Sequence, residues 1–347
     1  MSLELETRRF SCPLSDPLET ANGTIDEREG LLIRASDGTS VGYGEATPLA
    51  GWTESVSECH AAIEDAIAAA EYGRSAVLDA TEDTQAARHG VSLALADLAA
   101  KGDALPLYRD LGALVRVPRV PVNATIGDGT PEETVAAVER AVDAGFSCCK
   151  LKVGNRSLEE DLSRVRRARS IAGQDVELRV DANGAWTFDV AMEAIAHFDE
   201  LDVSILEQPL PEGALGGLAE LRGNGVAIAV DEGLLEHGVD AILDAQAADV
   251  FVLKPMALGG VDVARRIAAW VAESSRRVVV STTVDAVVAR TAAVHLAAAI
   301  PNVLASGLAT GDRLASDLGR DPVFIDRGTA VVPQTKGIGV EDVWDES

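Results

Sequence analysis

From about Pro118 onward, short apolar runs typical of strands alternate with helical patterns, and this alternation most constrains the fold. Helical segments such as Pro131 to Ala144 and Leu158 to Ser170 fill the gaps between the runs. The eight runs are Val120 to Ile126, Cys148 to Val153, Val176 to Asp181, Ser204 to Glu207, Ala227 to Asp231, Val250 to Lys254, Arg277 to Thr282 and Val303 to Ser306. Such alternation predicts βαβ units and a parallel sheet. Eight units are the number that closes a (β/α)8 barrel, so the sequence predicts an α/β fold with a TIM-type barrel.

The first 115 residues have a different texture, which predicts a separate α+β module. A β-hairpin is predicted around the turn signal Ser36 to Thr39, and a polar loop over Ser15 to Gly23. Alanine-rich helical stretches follow, from about Glu54 to Tyr72 and from Thr84 to Lys101. We therefore expect a module over residues 1–115 and a barrel over 116–320. The turn-rich tail, 321–347, is expected to return to the N-terminal module.

The charge balance excludes two classes of partner. The chain carries 56 acidic against 30 basic residues, a formal net charge of −26. Such a field repels nucleic acid and anionic membrane surfaces. Only five of the basic residues are lysines, and the acids are dispersed along the chain. Dispersed carboxylates with few lysines favour a surface that stays hydrated in concentrated salt, so we expect a haloadapted protein; an ordinary acidic mesophilic protein is the alternative.

The cysteines and the apolar pattern indicate a cytoplasmic location. Four cysteines show no CxxC spacing, and two of them, Cys148 and Cys149, are adjacent. A disulfide framework or a zinc site is therefore not expected, and a reducing cytoplasm fits. No apolar run approaches membrane-spanning length, and no charged-then-apolar leader opens the chain.

Charged residues stand at the C-terminal ends of five successive predicted strands. They are Lys152, Asp181, Glu207, Asp231 and Lys254, separated by 29, 26, 24 and 23 positions, about one βα repeat each. Strand ends of a barrel meet at one mouth, so these side chains are expected to share a cavity. Three carboxylates without His or Cys suit a hard divalent cation, Mg²⁺ first and Mn²⁺ second.

Lysine also occurs two positions before the first of these residues. A strand places Lys150 and Lys152 on one face, which is unfavourable unless an anionic group lies close by. The carboxylate cluster would supply that group. A metal that binds a substrate carboxylate stabilises the anion formed when the adjacent carbon loses a proton, and a lysine of lowered pKa can remove it. The alternative is a set of solvated edge lysines and acids that form turns.

Five motifs carry a resemblance to a known family. They are Lys150-Leu151-Lys152, Val180 to Trp186, Leu206-Glu207-Gln208-Pro209, Asp231-Glu232 and Leu253-Lys254-Pro255. Together they resemble the muconate-lactonizing-type subgroup of the enolase superfamily, in which a Lys base and Mg²⁺ act on an ene-diolate. The resemblance implies a capping domain over residues 1–115 and a catalytic barrel. It also implies that Lys152 is the base, that Asp181, Glu207 and Asp231 bind Mg²⁺, that Lys254 faces the base, and that Lys150 orients the substrate carboxylate.

Two further stretches are similar to o-succinylbenzoate synthases, namely Gly42 to Glu54 and Gly307 to Thr310 with Ala315 to Leu318. A departure is Asp285, where such enzymes often carry Glu. This likeness implies a lyase that dehydrates a cyclohexadiene carboxylate in menaquinone synthesis. Substrate contacts are then expected from Lys150, Thr125, Asn183, Thr282, Thr283 and Asp285.

Several alternatives stay open at this point. Within the superfamily they are racemisation of N-acyl amino acids, epimerisation of dipeptides and muconate-type cycloisomerisation. A Schiff-base aldolase and a non-catalytic protein on the same scaffold are alternatives from other classes. The expected partner is a small-molecule carboxylate, and assembly into a homo-oligomer is a further expectation.

Overall fold

The structure, a computed structural model, describes residues 3–20 and 23–344. Its strands are β1 (Glu4–Thr20), β2 (Gly23–Ser36), β3 (Val41–Ala46), β4 (Arg119–Pro121), β5 (Ala124–Ile126), β6 (Cys148–Lys152), β7 (Glu177–Asp181), β8 (Val203–Glu207), β9 (Ala227–Val230), β10 (Val250–Leu253), β11 (Arg277–Val280), β12 (Ile325–Asp326) and β13 (Thr329–Val331). Its α-helices are α1 (Val56–Ala69), α2 (Arg74–Asp79), α3 (Gln85–Gly102), α4 (Leu107–Asp110), α5 (Pro131–Asp143), α6 (Leu158–Ala172), α7 (Phe188–Glu200), α8 (Leu215–Leu221), α9 (Glu232–Asp244), α10 (Pro255–Leu258), α11 (Val261–Glu273) and α12 (Val287–Ala299).

The N-terminal part is an antiparallel three-stranded sheet, in the order β1-β2-β3, packed against helices α1 to α3. The predicted hairpin between β2 and β3 is confirmed. The N-cap of α1 is Ser55, which precedes Val56 and forms a reciprocal capping pair with Glu58. The predicted polar loop over Ser15 to Gly23 is wrong, since β1 continues to Thr20. A register shift between Pro13 and Leu18 accommodates the exposed residues 15–17 without ending the ladder. Residues 21 and 22 of that prediction lie outside the described residues.

Seven strands, β5 to β11, form a parallel sheet in sequential order, with helices following them. The eighth predicted strand, Val303 to Ser306, is reduced to single bridges at its end. Ser306 pairs with Val122 and Gly307 with Ser281, so this segment joins the two edges of the sheet. The first predicted strand is split, because β4 pairs with β13 instead of the barrel. The predicted (β/α)8 architecture is confirmed, with a short eighth position.

The packing follows from the sequence patterns. The largest apolar cluster lies between the barrel strands and their helices, and a second cluster fills the N-terminal part between its sheet and α1 to α3. In the C-terminal segment, β12 and β13 extend β4, whereas Ile338 and Val340 pack with Leu32 and Leu93 of the N-terminal part. The division of the chain at 115/116 and 320/321 stays a prediction. Among the described residues, the helices are too short or too polar to cross a bilayer.

Candidate active site

Parallel strands in register bring the predicted site residues together. Lys152, Asp181 and Glu207 are the last residues of β6, β7 and β8, and they pair side by side in the sheet. Asp231 and Lys254 each follow the next two strands, β9 and β10, by one residue. All five side chains therefore meet at the C-terminal edge of the sheet, as the spacing predicts.

The two lysines of β6 both contact carboxylates of the neighbouring strands. The Lys150 ammonium donates to Asp181 Oδ2 at 3.0 Å and to Glu207 Oε1 at 2.8 Å. The Lys152 ammonium donates to the same Asp181 oxygen at 2.7 Å and to Asn183 Oδ1 at 2.6 Å. The side chain of Lys152 is 34% exposed, whereas that of Lys150 is 14% exposed. Lys152 therefore has the more open amine of the two.

Lys254 approaches the cluster from the other side. Its ammonium donates to Asp231 Oδ2 at 2.6 Å and lies 3.5 Å from the ring centroid of Trp52, a residue of the N-terminal part. A cation over an indole face is attracted by the ring quadrupole. The N-terminal part therefore closes one side of the site with an aromatic wall.

The three carboxylates are almost fully buried, and their ionisation reflects their neighbours. Burial and the charge of Asp181 raise the pKa of Glu207 to about 7. Burial raises the pKa of Asp231 to about 6, although Lys254 acts in the opposite direction. Burial also opposes the charge of Asp181, but Lys150 and Lys152 hold its pKa below the ordinary range. The cluster thus lacks enough positive charge to keep all three acids ionised at low cost.

Whether Asp181, Glu207 and Asp231 can bind a metal ion depends on the groups that their carboxylates contact. Over residues 3–20 and 23–344, no three His, Cys, Asp or Glu side chains are arranged as a ready-made metal site. The acids instead contact ammonium groups. Two carboxylate oxygens at the same rim, Asp231 Oδ1 and Glu232 Oε2, are buried without a hydrogen-bond partner. Oxygen donors of this kind fit a hard divalent cation, provided that the lysines move aside.

Two residues that follow the strand ends hold this arrangement. Gln208 accepts hydrogen bonds from the backbone amides of Asp231 and Gly233 through Oε1, at 3.0 and 3.1 Å. Asn183 donates to Glu232 Oε1 at 2.9 Å, which connects Lys152 to that acid. Asn183 and Gln208 both have positive φ, 43° and 36°. Strained backbone of this kind is concentrated at functional sites.

The remaining predicted substrate contacts lie at neighbouring strand ends. Thr125 is exposed and pairs with Lys150 in the sheet. Thr282 and Thr283 are buried after β11, where Thr282 Oγ1 lies 3.0 Å from Thr310 Oγ1. Asp285 is also buried and accepts hydrogen bonds from the hydroxyl and backbone amide of Thr283. Contacts of these side chains with a substrate stay predictions.

Sequence reasoning assigned no role to Trp52, Glu232 or Gln208. Each lies inside a motif, but their roles depend on distant partners: Trp52 on Lys254, Glu232 on Asn183, and Gln208 on the backbone at Asp231. The position of Glu232 next to Asp231 was the one local signal. The Trp52 contact joins two parts of the chain, and no spacing rule predicts it.

The fold and the site define a barrel enzyme whose reacting groups stand at the C-terminal strand ends. Residues 133–346 match the enolase C-terminal domain-like family, and residues 4–98 match the family described as MenC, N-terminal domain. The chain belongs to the enolase superfamily, which confirms the predicted superfamily.

Similar proteins include both lyases and isomerases. An o-succinylbenzoate synthase from Thermobifida fusca is 34% identical over 89% of this chain and 82% of that protein. The substrate-liganded structure of the L-Ala-D/L-Glu epimerase from Bacillus subtilis has a TM-score of 0.89 and 28% identity, covering 98% of both chains. The Methylococcus capsulatus dipeptide epimerase, complexed with Mg and the dipeptide L-Arg-D-Lys, has a TM-score of 0.88 and 28% identity, covering 98% of this chain and 99% of that one.

Proposed function

We propose that this chain is an o-succinylbenzoate synthase, a lyase that removes water from a hydroxylated cyclohexadiene carboxylate in menaquinone biosynthesis. The observation that carries the proposal is the match of residues 4–98 to the MenC N-terminal domain. That part of the chain supplies Trp52, which contacts Lys254 in the site. The 34% identity to an o-succinylbenzoate synthase supports the same conclusion.

The cofactor in this proposal is Mg²⁺, with Mn²⁺ as a substitute. Asp181, Glu207 and Asp231 would hold it, since their oxygens are buried at one rim and two of these acids have raised pKa values. Superfamily structures such as the Methylococcus epimerase contain Mg. When bound, a divalent cation supplies positive charge that lowers the free energy of the substrate carboxylate as the neighbouring carbon loses its proton.

Lys152 is the proposed base. Its amine removes the proton α to the ring carboxylate, and the C–H electron pair moves into the carboxylate to give an enediolate. The electrons then return to the ring as the C–O bond to the hydroxyl group breaks on the same face. The departing hydroxide takes the proton from Lys152, so one water leaves, the ring becomes aromatic and the base is regenerated. Efficient transfer of this kind requires a base within hydrogen-bond reach of the reacting carbon.

Lys254 acts as a fixed cation in this proposal. It stands on the side of the cluster opposite Lys152 and contacts Asp231 at 2.6 Å. Its charge would stabilise the anion that forms in the ring, as preorganised charge does in water-poor sites. Lys150, between Asp181 and Glu207, would orient the substrate carboxylate.

The second candidate is epimerisation of dipeptides or racemisation of N-acyl amino acids, which the 28% identical Bacillus subtilis epimerase favours. There Lys152 and Lys254 would each exchange the α-proton on one face. A free dipeptide carries an α-ammonium group, which requires a carboxylate outside the metal cluster. The segment 303–310 at the eighth barrel position carries no acidic residue, and Asp285 is bonded to Thr283. Glu232, whose Oε2 is buried at the same rim without a hydrogen-bond partner, is the carboxylate left for a dipeptide, and an N-acyl amino acid needs none. Assays with both substrate classes therefore decide between the two candidates.

The test compares both reactions in one preparation. Wild type, Lys152→Ala, Lys254→Arg and the exposed control Lys336→Ala are assayed with Mg²⁺ in high salt. One substrate is the cyclohexadiene carboxylate, and the others are L-Ala-L-Glu and an N-succinyl amino acid in D₂O. We expect dehydration by wild type and Lys336→Ala, residual dehydration by Lys254→Arg, and none by Lys152→Ala. Epimerisation without dehydration in wild type, or dehydration by Lys152→Ala, would overturn the proposal.

The setting of the enzyme is also proposed from the sequence. Buried, unpaired cysteines fit a reducing cytoplasm. The net charge of −26 with five lysines supports haloadaptation. The partner is the small carboxylate substrate, and assembly into a homo-oligomer stays a prediction.

A further inference from the structure

One fully buried carboxylate joins the N-terminal part to the barrel. Glu45, near the end of β3, has no exposed surface. Its Oε1 accepts a hydrogen bond from the amide of Ala286, and its Oε2 accepts one from the amide of Ala289, both at 2.8 Å. The hydroxyl of Thr47 also donates to Glu45 Oε1. The partners of this carboxylate therefore come from two regions about 240 residues apart in the chain.

These two amides belong to the first turn of α12. The first four N–H groups of a helix have no partner inside the helix and carry partial positive charge. The N-cap position of α12 is Ala286, whose side chain cannot accept a hydrogen bond. Glu45 supplies acceptors for the amides of Ala286 and Ala289 from another part of the chain, and Asp317 accepts from the amide of Val287 between them at 2.8 Å. The Glu45 carboxylate thus helps to fix where α12 begins.

The segment before α12 carries predicted substrate contacts. Thr282, Thr283 and Asp285 lie between the end of β11 and Ala286. On the other side, the chain continues beyond the end of β3 from Glu45 through Thr47 to Trp52, which contacts Lys254. Glu45 therefore lies between two segments that border the same site.

A buried arginine also connects the same two segments. Arg28, which is 2% exposed, donates to the carbonyls of Thr47 at 3.0 Å and Pro48 at 3.2 Å. It also donates to the carbonyl of Val284 at 3.3 Å. Residues 47–48 and Val284 are thus both held by Arg28 of the N-terminal sheet, as the segments around Thr47 and Ala286 are by Glu45. Two independent side chains that connect the same two segments support the view that the N-terminal sheet aligns these segments with each other.

We infer that Glu45 is a positioning residue of the active site, which aligns the Thr282–Asp285 segment and the Trp52 segment with each other around the substrate. It touches neither substrate nor cofactor in this role. The part of the inference that concerns turnover rests on the proposed function. The alignment itself can be tested without it.

A second buried carboxylate in the N-terminal part provides a matched control for Glu45. Asp97 of α3 is also fully buried, and its carboxylate accepts two backbone amides, from Tyr43 at 2.9 Å and Ile338 at 2.8 Å. It makes no contact with residues 47–52 or 282–286 among its hydrogen bonds and ion pairs. Asp97→Asn therefore perturbs a buried acid of the same kind away from the site.

The experiment compares Glu45→Gln with Asp97→Asn in the full chain. Amide hydrogen exchange without substrate is measured at 47–52 and 282–289, and kcat and KM are measured well below both melting temperatures. For Glu45→Gln we expect at least tenfold faster exchange in both segments and at least a tenfold higher KM, with a smaller change in kcat. For Asp97→Asn we expect less than a twofold change in either readout.

The outcomes separate the inference from the function. Equal effects of the two variants, or unchanged exchange in Glu45→Gln, would overturn the inference. If wild type turns over none of the offered substrates, the proposed function fails, and the exchange pattern alone decides on Glu45. If Glu45→Gln does not fold, Thr47→Val, which removes one donor to the carboxylate, is expected to show the same pattern at about threefold; an unchanged pattern would refute it.

Discussion

Lys150 provides a sharp test of the charge balance in the site. Its ammonium is shared by Asp181 and Glu207, whose side chains are 1% and 5% exposed. These carboxylates raise the pKa of Lys150 above its ordinary value although burial opposes the charge. Lys150→Met keeps an unbranched apolar side chain, one atom shorter, and removes the ammonium charge together with its hydrogen bonds to Asp181 and Glu207.

The size of the effect follows from these contacts. Removing one partner of a buried ion pair costs about 3–5 kcal/mol, because the other charge stays buried without compensation. Lys152 still pairs with Asp181, so the loss falls mainly on Glu207. Glu207 can take up a proton, since its pKa is already raised to about 7. We therefore expect a loss of about 3 kcal/mol at pH 7, growing by about 1.4 kcal/mol per pH unit above that.

The assay is urea unfolding with a chelator present, at pH 7 and pH 8, on wild type, Lys150→Met and the exposed control Lys336→Met. Added Mg²⁺ should stabilise Lys150→Met more than wild type, because the cation supplies the lost positive charge. A loss no larger than that of Lys336→Met, or one independent of pH, would refute the proposed charge balance.

Two further predictions concern solution conditions. The affinity for Mg²⁺ should rise about 20-fold between pH 6 and pH 8, because Glu207 and Asp231, with pKa values of about 7 and 6, must lose their protons to bind a cation. Calorimetric titration with Mg²⁺ measures this affinity. An affinity that does not change with pH would contradict the prediction. The unfolding temperature should rise by several degrees from 0.1 to 2 M NaCl, because salt screens the repulsion within a chain of net charge −26. Thermal unfolding at the two concentrations measures this shift. An unfolding temperature that does not change with salt would contradict the proposed haloadaptation.

The sequence allowed the main part of the site to be predicted because the barrel repeats. Strand ends converge whatever the loops do, so one charged residue per repeat was enough to bring Lys152, Asp181, Glu207, Asp231 and Lys254 to one rim. The period of two likewise placed Lys150 beside Lys152, and both contact Asp181. These are consequences of backbone geometry and need no knowledge of side-chain packing.

Structural features that depend on contacts between residues far apart in the sequence could not be predicted from local sequence patterns. The eighth strand reads as a normal apolar run but forms only bridges at Ser306 and Gly307. Residues 15–17, Ser-Asp-Pro, indicate a loop, yet Pro13 and Leu18 on either side of them both pair with β2, so the strand continues. The cap that Glu45 provides for α12 and the contact of Trp52 with Lys254 join segments more than 200 residues apart. Nothing in either local sequence signals its partner.

The most direct measurement of the central claim is the number of Mn²⁺ ions bound per chain, taken from the loss of the free Mn²⁺ signal in electron paramagnetic resonance at pH 8. We predict one ion for wild type, competition by Mg²⁺, and at least a hundredfold weaker binding in Asp231→Asn, because Asp231 contributes a buried oxygen without another partner. No binding by wild type, or unchanged binding by Asp231→Asn, would contradict the claim that these acids hold a divalent cation.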